Sequence, residues 1–192
     1  MNKRVNLIIG SGALGAYLSV ELLKKGEKVI VTSRSLNKNF TNYKYLKIQN
    51  QIKFEKLNTN NKNQIKKILE KYNPKKIFYF SGQSSLTKSI KNKKETLNSH
   101  YGGTKNFLDI MIEQKLDTKF FKANSGYIFS PKNGLIHLKC RFSSNDNPYI
   151  KSQQRVFNLI KKYRKFGLNL SNLVFMQIES PLRKNDFFIK KV

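Results

Sequence analysis

Six residues near the amino end, Gly10-Ser11-Gly12-Ala13-Leu14-Gly15, have the types and spacing to hold phosphate. In a G-x-G-x-x-G turn between strand and helix, the first glycine permits the tight turn. The second lets the backbone approach a pyrophosphate, and the third lets helix and strand pack closely. Free amides and the positive end of the helix dipole complete the cradle. A merely structural glycine turn is the competing reading, and the placement directly after an apolar strand pattern favours phosphate. The next chemistry lies at the end of the second strand, roughly 20 residues on, where an NAD site carries Asp or Glu for the ribose hydroxyls. Here the stretch is Thr32-Ser33-Arg34-Ser35, without an acid. Arg34 can pair with a 2′-phosphate and stack on adenine, while Ser33 or Ser35 donates a hydrogen bond. That points to NADP(H), with NAD as the alternative and a solvated loop arginine as the competing reading of Arg34.

No other cluster carries such chemistry. His100 and His137 stand alone, without metal-ligand spacing, so no metal site is expected and both read as structural or exposed. Cys140 is the single cysteine, which excludes an intrachain disulfide framework and a cysteine-built zinc site and fits a reducing, cytoplasmic compartment.

These residues need elements to position them, and strand and helix patterns alternate almost to the end. Arg4–Ile9 reads as a strand, Ala13–Lys25 as a helix closed by Gly26, and Lys28–Thr32 as strand two. After a polar loop over 34–43, Tyr45–Ile48 and Ile52–Leu57 read as short strands. Lys62–Tyr72 is a basic amphipathic helix ended by Asn73-Pro74, and Lys76–Ser81 a buried strand. Glu95–Gln114 is a longer helix, Thr118–Ala123 a strand and 126–147 a long loop. Pro148–Phe166 is a helix ended by Gly167, and Leu170–Ile178 a last strand. The fold class this implies is α/β: a doubly wound, mostly parallel Rossmann-like sheet of six or seven strands with helices on both faces. Met1-Asn2-Lys3-Arg4 before VNLII imitates a secretory signal, but Asn6 and the glycines interrupt the apolar run, so a mature strand–turn–helix is expected.

The chain has 192 residues, with 38 Lys+Arg against 11 Asp+Glu and a formal charge of +27. With 39% hydrophobic and 12% aromatic residues it can bury a core, which argues against disorder. No apolar run approaches the roughly 18 residues of a membrane span. The charge calls for an anionic partner. Nucleic acid is the weaker choice: the basic stretches 62–76 and 88–94 could neutralise phosphates, with Tyr72 and Tyr79 as stacking groups, but no helix-turn-helix, RNP-like or zinc pattern accompanies them.

Five segments carry a resemblance in the expected order: KKIFYFSGQSSL (75–86), HYGGTKNFLDIM (100–111), KFFKANSGYIFS (119–130), NPYIKSQQ (147–154) and YRKFGLNLSNLVFMQIESPLRKNDFFIKKV (163–192). They resemble, respectively, the "AAQS" turn, the "GT-x-x-LL" helix, the "F-x-x-ASTSELYG" strand, the start of the catalytic Tyr helix and the "LFNHESPRRG" stretch. The family is the extended short-chain dehydrogenase/reductases, the NAD-dependent epimerase/dehydratase family. Within it the chain is most similar to GDP-mannose 4,6-dehydratases and related nucleotide-sugar enzymes.

The resemblance implies a catalytic Ser or Thr, a Tyr, and a Lys four residues after the Tyr. The Tyr exchanges a proton with substrate while hydride moves to or from the nicotinamide. The Lys positions the ribose and lowers the Tyr pKa from about 10. It assigns catalysis to Ser125, Tyr149 and Gln153. Together with the motif it assigns the cofactor to Gly10, Gly12, Ala13, Leu14, Gly15, Ser33, Arg34, Leu57, Ser81, Gly82, Gln83, Tyr149, Gln153, Gln177, Glu179 and Ser180. A turn residue and a packing tyrosine are the plain alternatives for Ser125 and Tyr149.

The departures are informative. The glycine turn is one residue shorter than the family's T-G-x-x-G-x-x-G, Lys56 takes the place of an acid after strand three, and His100 stands where Asn or Asp is common. Gln153 replaces the Lys and supplies no charge, and Lys151 is roughly 200° around the helix from the Tyr. Tyr127 replaces the dehydratases' Glu, which makes water elimination an unexpected activity. A nucleotide sugar or other phosphorylated small molecule is the implied substrate, with weakened chemistry. The alternative is a catalytically inactive cofactor-binding or interaction protein. Residues 1–180 read as the cofactor domain and 181–192 as a basic tail, a remnant of a substrate lobe otherwise minimal or absent. A homodimer, or a second chain supplying that lobe, is the implied assembly.

Overall fold

A computed structural model describes residues 5–37 and 40–182 of the chain. Six strands run β1 Asn6–Ile9, β2 Val29–Ser33, β3 Lys53–Lys56, β4 Lys76–Tyr79, β5 Lys119–Ser125 and β6 Leu170–Phe175. They form one sheet in the order β3-β2-β1-β4-β5-β6, every pairing parallel. This is the strand order of a dinucleotide-binding Rossmann sheet, with its switch point between β1 and β4.

Alternation along the strands shows why both faces must be covered. Leu7 and Ile9 of β1 enter one apolar cluster with Ile30, Ile77 and Phe120, while Ile8 enters the other with Val29 and Val31. Each strand therefore points every second side chain to an opposite core. Helices α3 Lys62–Tyr72, α6 Gly103–Glu113 and α7 Pro148–Arg164 supply Ile65, Phe107 and Ile160 to the first cluster. Helices α1 Ala13–Lys24 and α2 Thr41–Tyr45 supply Leu22 and Tyr43 to the second. Two shorter helices, α4 Leu86–Lys91 and α5 Lys93–Leu97, stand beside α7 at the carboxyl end of the sheet.

Several expected elements change. Tyr45–Ile48 is no strand: Tyr45 closes α2, whose start at Thr41 also shortens the expected loop, and its carbonyls are met within the following turn. Aromatic stacking explains the substitution, since α2 lets Phe40 stack on Phe54 at 3.9 Å and Tyr43 meet Phe54 edge-on at 5.1 Å. The expected helix Glu95–Gln114 is α5 and α6 joined by a π turn over Asn98–Gly102. β6 ends at Phe175, before Ile178. Arg183, Lys184, Lys190 and Lys191 of the tail lie outside the described residues, as does the expected start of β1 at Arg4.

The basic face of α3 has ordinary partners. Lys62 pairs with Asp109 at 3.2 Å, Lys66 with Glu113 at 2.9 Å and Lys71 with Glu55 at 2.8 Å, tying α3 to α6 and β3. Tyr79, considered above as a stacking group for bases, is wholly buried and donates to the Ser99 carbonyl at 2.9 Å. These are the contacts of a solvated structural face. Among the described residues, no helix is long and apolar enough to cross a membrane.

Candidate functional site

The carboxyl ends of β1 and β4 diverge at the switch point, and the glycine turn lies between them. Gly10 has φ +108°, and a Cβ there would stand 3.0 Å from the Ser81 amide nitrogen, so glycine is required for conformation and for space. A Cβ on Gly15 would lie 2.7 Å from the Gly10 carbonyl, which fixes the approach of α1 to its own turn. Gly12 differs: nothing lies within 4 Å of where its Cβ would be. It caps α1 without a side-chain hydrogen bond, and the first turn, with Ala13 and Leu14, carries no acid. The result is an open helix end with a positive dipole and donors facing the cleft, the arrangement that accepts an anion.

At the end of β2, Ser33 is buried and its Oγ accepts from the Ser35 amide at 3.4 Å. Arg34 is exposed and reaches across the cleft to Glu95 of α5, Nη1 to Oε1 3.2 Å. Leu57 follows β3 and packs in the same core cluster as Ile65 and Leu69, and its amide donates to the Ser33 carbonyl at 2.8 Å.

The other half of the site gathers around α7. Asn147 caps that helix by accepting from the Tyr149 amide at 2.9 Å, and Pro148 occupies its first turn, which sets the start of the helix. Ser89 of α4 donates to the same Asn147 oxygen at 2.9 Å. Tyr149 and Gln153 then share one helix face at i and i+4. Asn124, next to Ser125 at the end of β5, donates to the Gln153 carbonyl at 3.2 Å, and so places α7 against the strand end. Ser125 is buried, and its Oγ accepts from the Tyr127 amide at 3.3 Å, while the Tyr127 side chain is exposed. Lys151 turns away and pairs with Asp146 at 3.2 Å. Gln177 is exposed and donates to Glu179 at 3.3 Å; with Ser180 these lie on the segment after β6.

His100 is the group that sequence reasoning left without a role here. The π turn aims it into the site, where it is 4% exposed. Its Nε2 lies 2.7 Å from the Gln83 carbonyl, its Nδ1 3.4 Å from Gln153 Nε2, and its ring meets Tyr149 edge-on at 5.6 Å. The carbonyl can only accept, so Nε2 carries the proton and Nδ1 accepts from the Gln153 amide. The Gln153 Oε1 is left buried and unpartnered, an acceptor waiting for a hydroxyl. Gly82 makes room for this: with φ +146°, any Cβ there would collide with the imidazole. Burial, with the charge of Lys122, pushes His100 down to about 3, so the ring is neutral at ordinary pH.

Residues 7–192 match the sequence profile of GDP-mannose 4,6 dehydratase, nearly the whole chain. The chain belongs to that family. Among curated proteins, it is 25% identical over 158 residues to the bifunctional protein gal10 of Schizosaccharomyces pombe, covering 79% of this chain and 22% of that one. It is 29% identical over 125 residues to the CDP-paratose 2-epimerase of Salmonella typhi, covering 65% and 35%. Among solved structures, the dTDP-glucose 4,6-dehydratase of Streptomyces venezuelae, with NAD and TYD bound, superposes with a TM-score of 0.84 at 17% identity over 97% of this chain and 60% of that one. The UDP-glucuronic acid 4-epimerase of Bacillus cereus gives 0.83 at 18% over 96% and 60%. This GDP-mannose 4,6-dehydratase family chain therefore shares the fold of nucleotide-sugar epimerases and dehydratases. It spans between about a fifth and three fifths of the length of these relatives.

Proposed function

We propose that the chain binds a nicotinamide dinucleotide, NADP(H) before NAD, and uses it for hydride exchange at a secondary alcohol or ketone of a nucleotide sugar. The observation that carries this reading is the opening at Gly12, a helix N-terminus without a side-chain cap and with no atom where a side chain would stand, together with the buried, unpartnered Oε1 of Gln153. These two features fit the phosphate end and the ribose end of one elongated ligand. Gly10, Gly12, Ala13, Leu14 and Gly15 would hold the pyrophosphate. Ser33 and Arg34 would take the adenosine ribose and its 2′-phosphate. Ser81, Gly82 and Gln83 would line its middle, and Tyr149, Gln153, Gln177, Glu179 and Ser180 its nicotinamide half. The bound nicotinamide supplies the hydride or accepts it.

The chain's own residues have separate tasks. Tyr149 moves the proton at the substrate oxygen, and Ser125 donates a hydrogen bond to that oxygen. Gln153 orients the ribose by accepting from its hydroxyl, the reverse polarity of a lysine at that position. Its loss of charge weakens proton transfer: one unit of pKa tuning is worth about 1.4 kcal/mol, or tenfold. Tyr127, exposed where the dehydratases place a Glu, offers no base for water elimination. Oxidoreduction or epimerisation is thus favoured over dehydration. The printed activities of the relatives, a CDP-paratose 2-epimerase and a dTDP-glucose 4,6-dehydratase, support a nucleotide sugar as the substrate class.

The test is separate titration of NADPH and NADH into the purified protein, then turnover with UDP-, GDP-, dTDP- and CDP-sugars followed by reduced-nicotinamide absorbance. Binding tighter for NADPH, with slow turnover of one sugar class, is the expected result. Failure of both nucleotides to bind overturns the reading. Binding without turnover of any sugar supports the inactive, cofactor-holding alternative.

A further inference from the structure

Lys122 has no part in the reading above, and it is an unusual residue. It lies on β5 three residues before Ser125, is 1% exposed, and donates from Nζ to the Ala123 carbonyl at 2.6 Å. The ammonium stands over the Tyr79 ring, 4.9 Å from its centroid. Among the described residues no carboxylate pairs with it. A buried charge without a counter-ion is costly, and an apolar side chain of similar length would fill the same space without that penalty. Its surroundings are the polar groups of the candidate site. Tyr79 faces it from β4, Asn172 is its register partner on β6, and His100 approaches from the π turn with Tyr149 and Gln153 of α7 behind it. Its charge reaches His100 and helps to hold the imidazole neutral.

We propose that Lys122 is a positioning residue whose ammonium, set in the sheet beneath His100 and Gln153, supplies the positive charge that α7 lacks at position 153 and so favours reduced over oxidised nicotinamide. The proposal rests on the reading that the nicotinamide half of the cofactor lies at Ser125, Tyr149 and Gln153. The oxidised ring carries a positive charge and the reduced ring does not. A cation three strand residues away, roughly 10 Å, disfavours the oxidised form by about tenfold at an effective dielectric near 20. Burial pulls Lys122 down to about 7, so this charge is present below neutral pH and lost above it. Of the groups facing it, His100 stays neutral down to about 3 and burial pushes the Tyr79 phenol up, so neither changes charge in that window.

The experiment measures dissociation constants of NAD+ and NADH, and of NADP+ and NADPH, at roughly pH 6 and pH 8 for wild type and Lys122→Met, and again for the same pair with Tyr149→Phe added. Expected is a preference for the reduced form that falls about tenfold from the lower to the higher pH in wild type and stays flat in Lys122→Met. Gln153→Lys should restore a preference to Lys122→Met while adding little to wild type, where two cations would repel. A second readout needs no cofactor: the Nδ1 resonance of His100 should move through the Lys122 titration in wild type and not in the variant, with His137 as control. Should Lys122→Met fail to fold, Lys122→Gln is the substitute. An unchanged ratio with intact binding overturns the proposal alone. No binding of any nucleotide, with the His100 response intact, overturns the cofactor reading and this role together.

Discussion

The two halves of the site are built by different means. The half at β1 and β2 is made of backbone: three glycines, a helix end and a strand terminus, each fixed by where a Cβ can or cannot stand. The half at β5 and α7 is made of buried polar side chains: Asn124, Gln153 and His100 are linked by hydrogen bonds, and the charge of Lys122 acts on His100. The first half is specified by sterics: Gly10 and Gly15 have no room for a side chain, while Gly12 borders open space. The second is specified by hydrogen bonding and charge, so it responds to pH.

Within the backbone half, two glycines three residues apart in the turn should fail in opposite ways. Gly15→Ala places a methyl 2.7 Å from the Gly10 carbonyl, and backbone cannot turn aside as a side chain can. Overpacking of this kind costs about 1–3 kcal/mol, and at this chain length that lowers Tm by roughly 2–12 °C. Gly12→Ala meets no protein atom, so its Tm should stay within about 1 °C while NADPH affinity drops more than tenfold, because the methyl enters the phosphate path. Thermal melts with and without NADPH separate the two. Equal loss of stability in both would end the claim that Gly12 is kept open for a ligand.

The polar half should reveal itself by acid. His100 is a base whose folded pKa, about 3, lies below its unfolded value near 6.5. The unfolded chain takes up a proton that the folded one refuses. Its contribution to stability is therefore whole above about pH 6.5 and is lost as pH falls toward 3, at about 1.4 kcal/mol per pH unit. In urea melts across that range, His100→Asn should be less steeply destabilised by acid than wild type. Lys122 acts in the same sense at higher pH, since its folded pKa is also depressed: stability rises between about 7 and 10.5 as the unfolded chain loses its proton. Lys122→Met should thus be as stable as wild type at neutral pH, or more stable by about 1–4 kcal/mol, and lack that slope. A variant less stable at neutral pH would assign the lysine to packing.

The same division explains what the sequence made legible. Backbone patterns are easy to read, because a glycine turn between a strand pattern and a helix pattern has few other uses, and Gly10, Gly12 and Gly15 lie between β1 and the first turn of α1. The alternation of elements likewise sufficed for the parallel sheet, although Tyr45–Ile48 misled: the segment instead closes and follows α2, which Phe40 and Tyr43 fix by packing on Phe54. The polar half was legible only through family resemblance, which named Ser125, Tyr149 and Gln153. His100 looked isolated because its partners, Gln83 and Gln153, lie 17 and 53 residues away and meet it only through a π turn and the missing side chain of Gly82. Lys122 was hidden by number, one basic residue among 38. Only its burial separates it from the rest.

The smallest effect concerns the contact that joins the two halves of the cleft. Arg34 and Glu95 form an ion pair across the proposed adenosine end, with side chains 71% and 53% exposed, so it contributes about 0–1 kcal/mol. Its consequence for binding is competitive, because the guanidinium that would clasp a 2′-phosphate is already engaged by a carboxylate, and that carboxylate would also face the phosphate. Glu95→Gln removes both obstacles. NADPH should bind about two- to fivefold more tightly, NADH by the same amount as before, and the difference should shrink as salt screens the charges. Arg34→Ala should abolish the preference itself. If Glu95→Gln tightens both nucleotides equally, Arg34 does not read the 2′-phosphate, and NAD takes the place of NADP(H) in the proposed function.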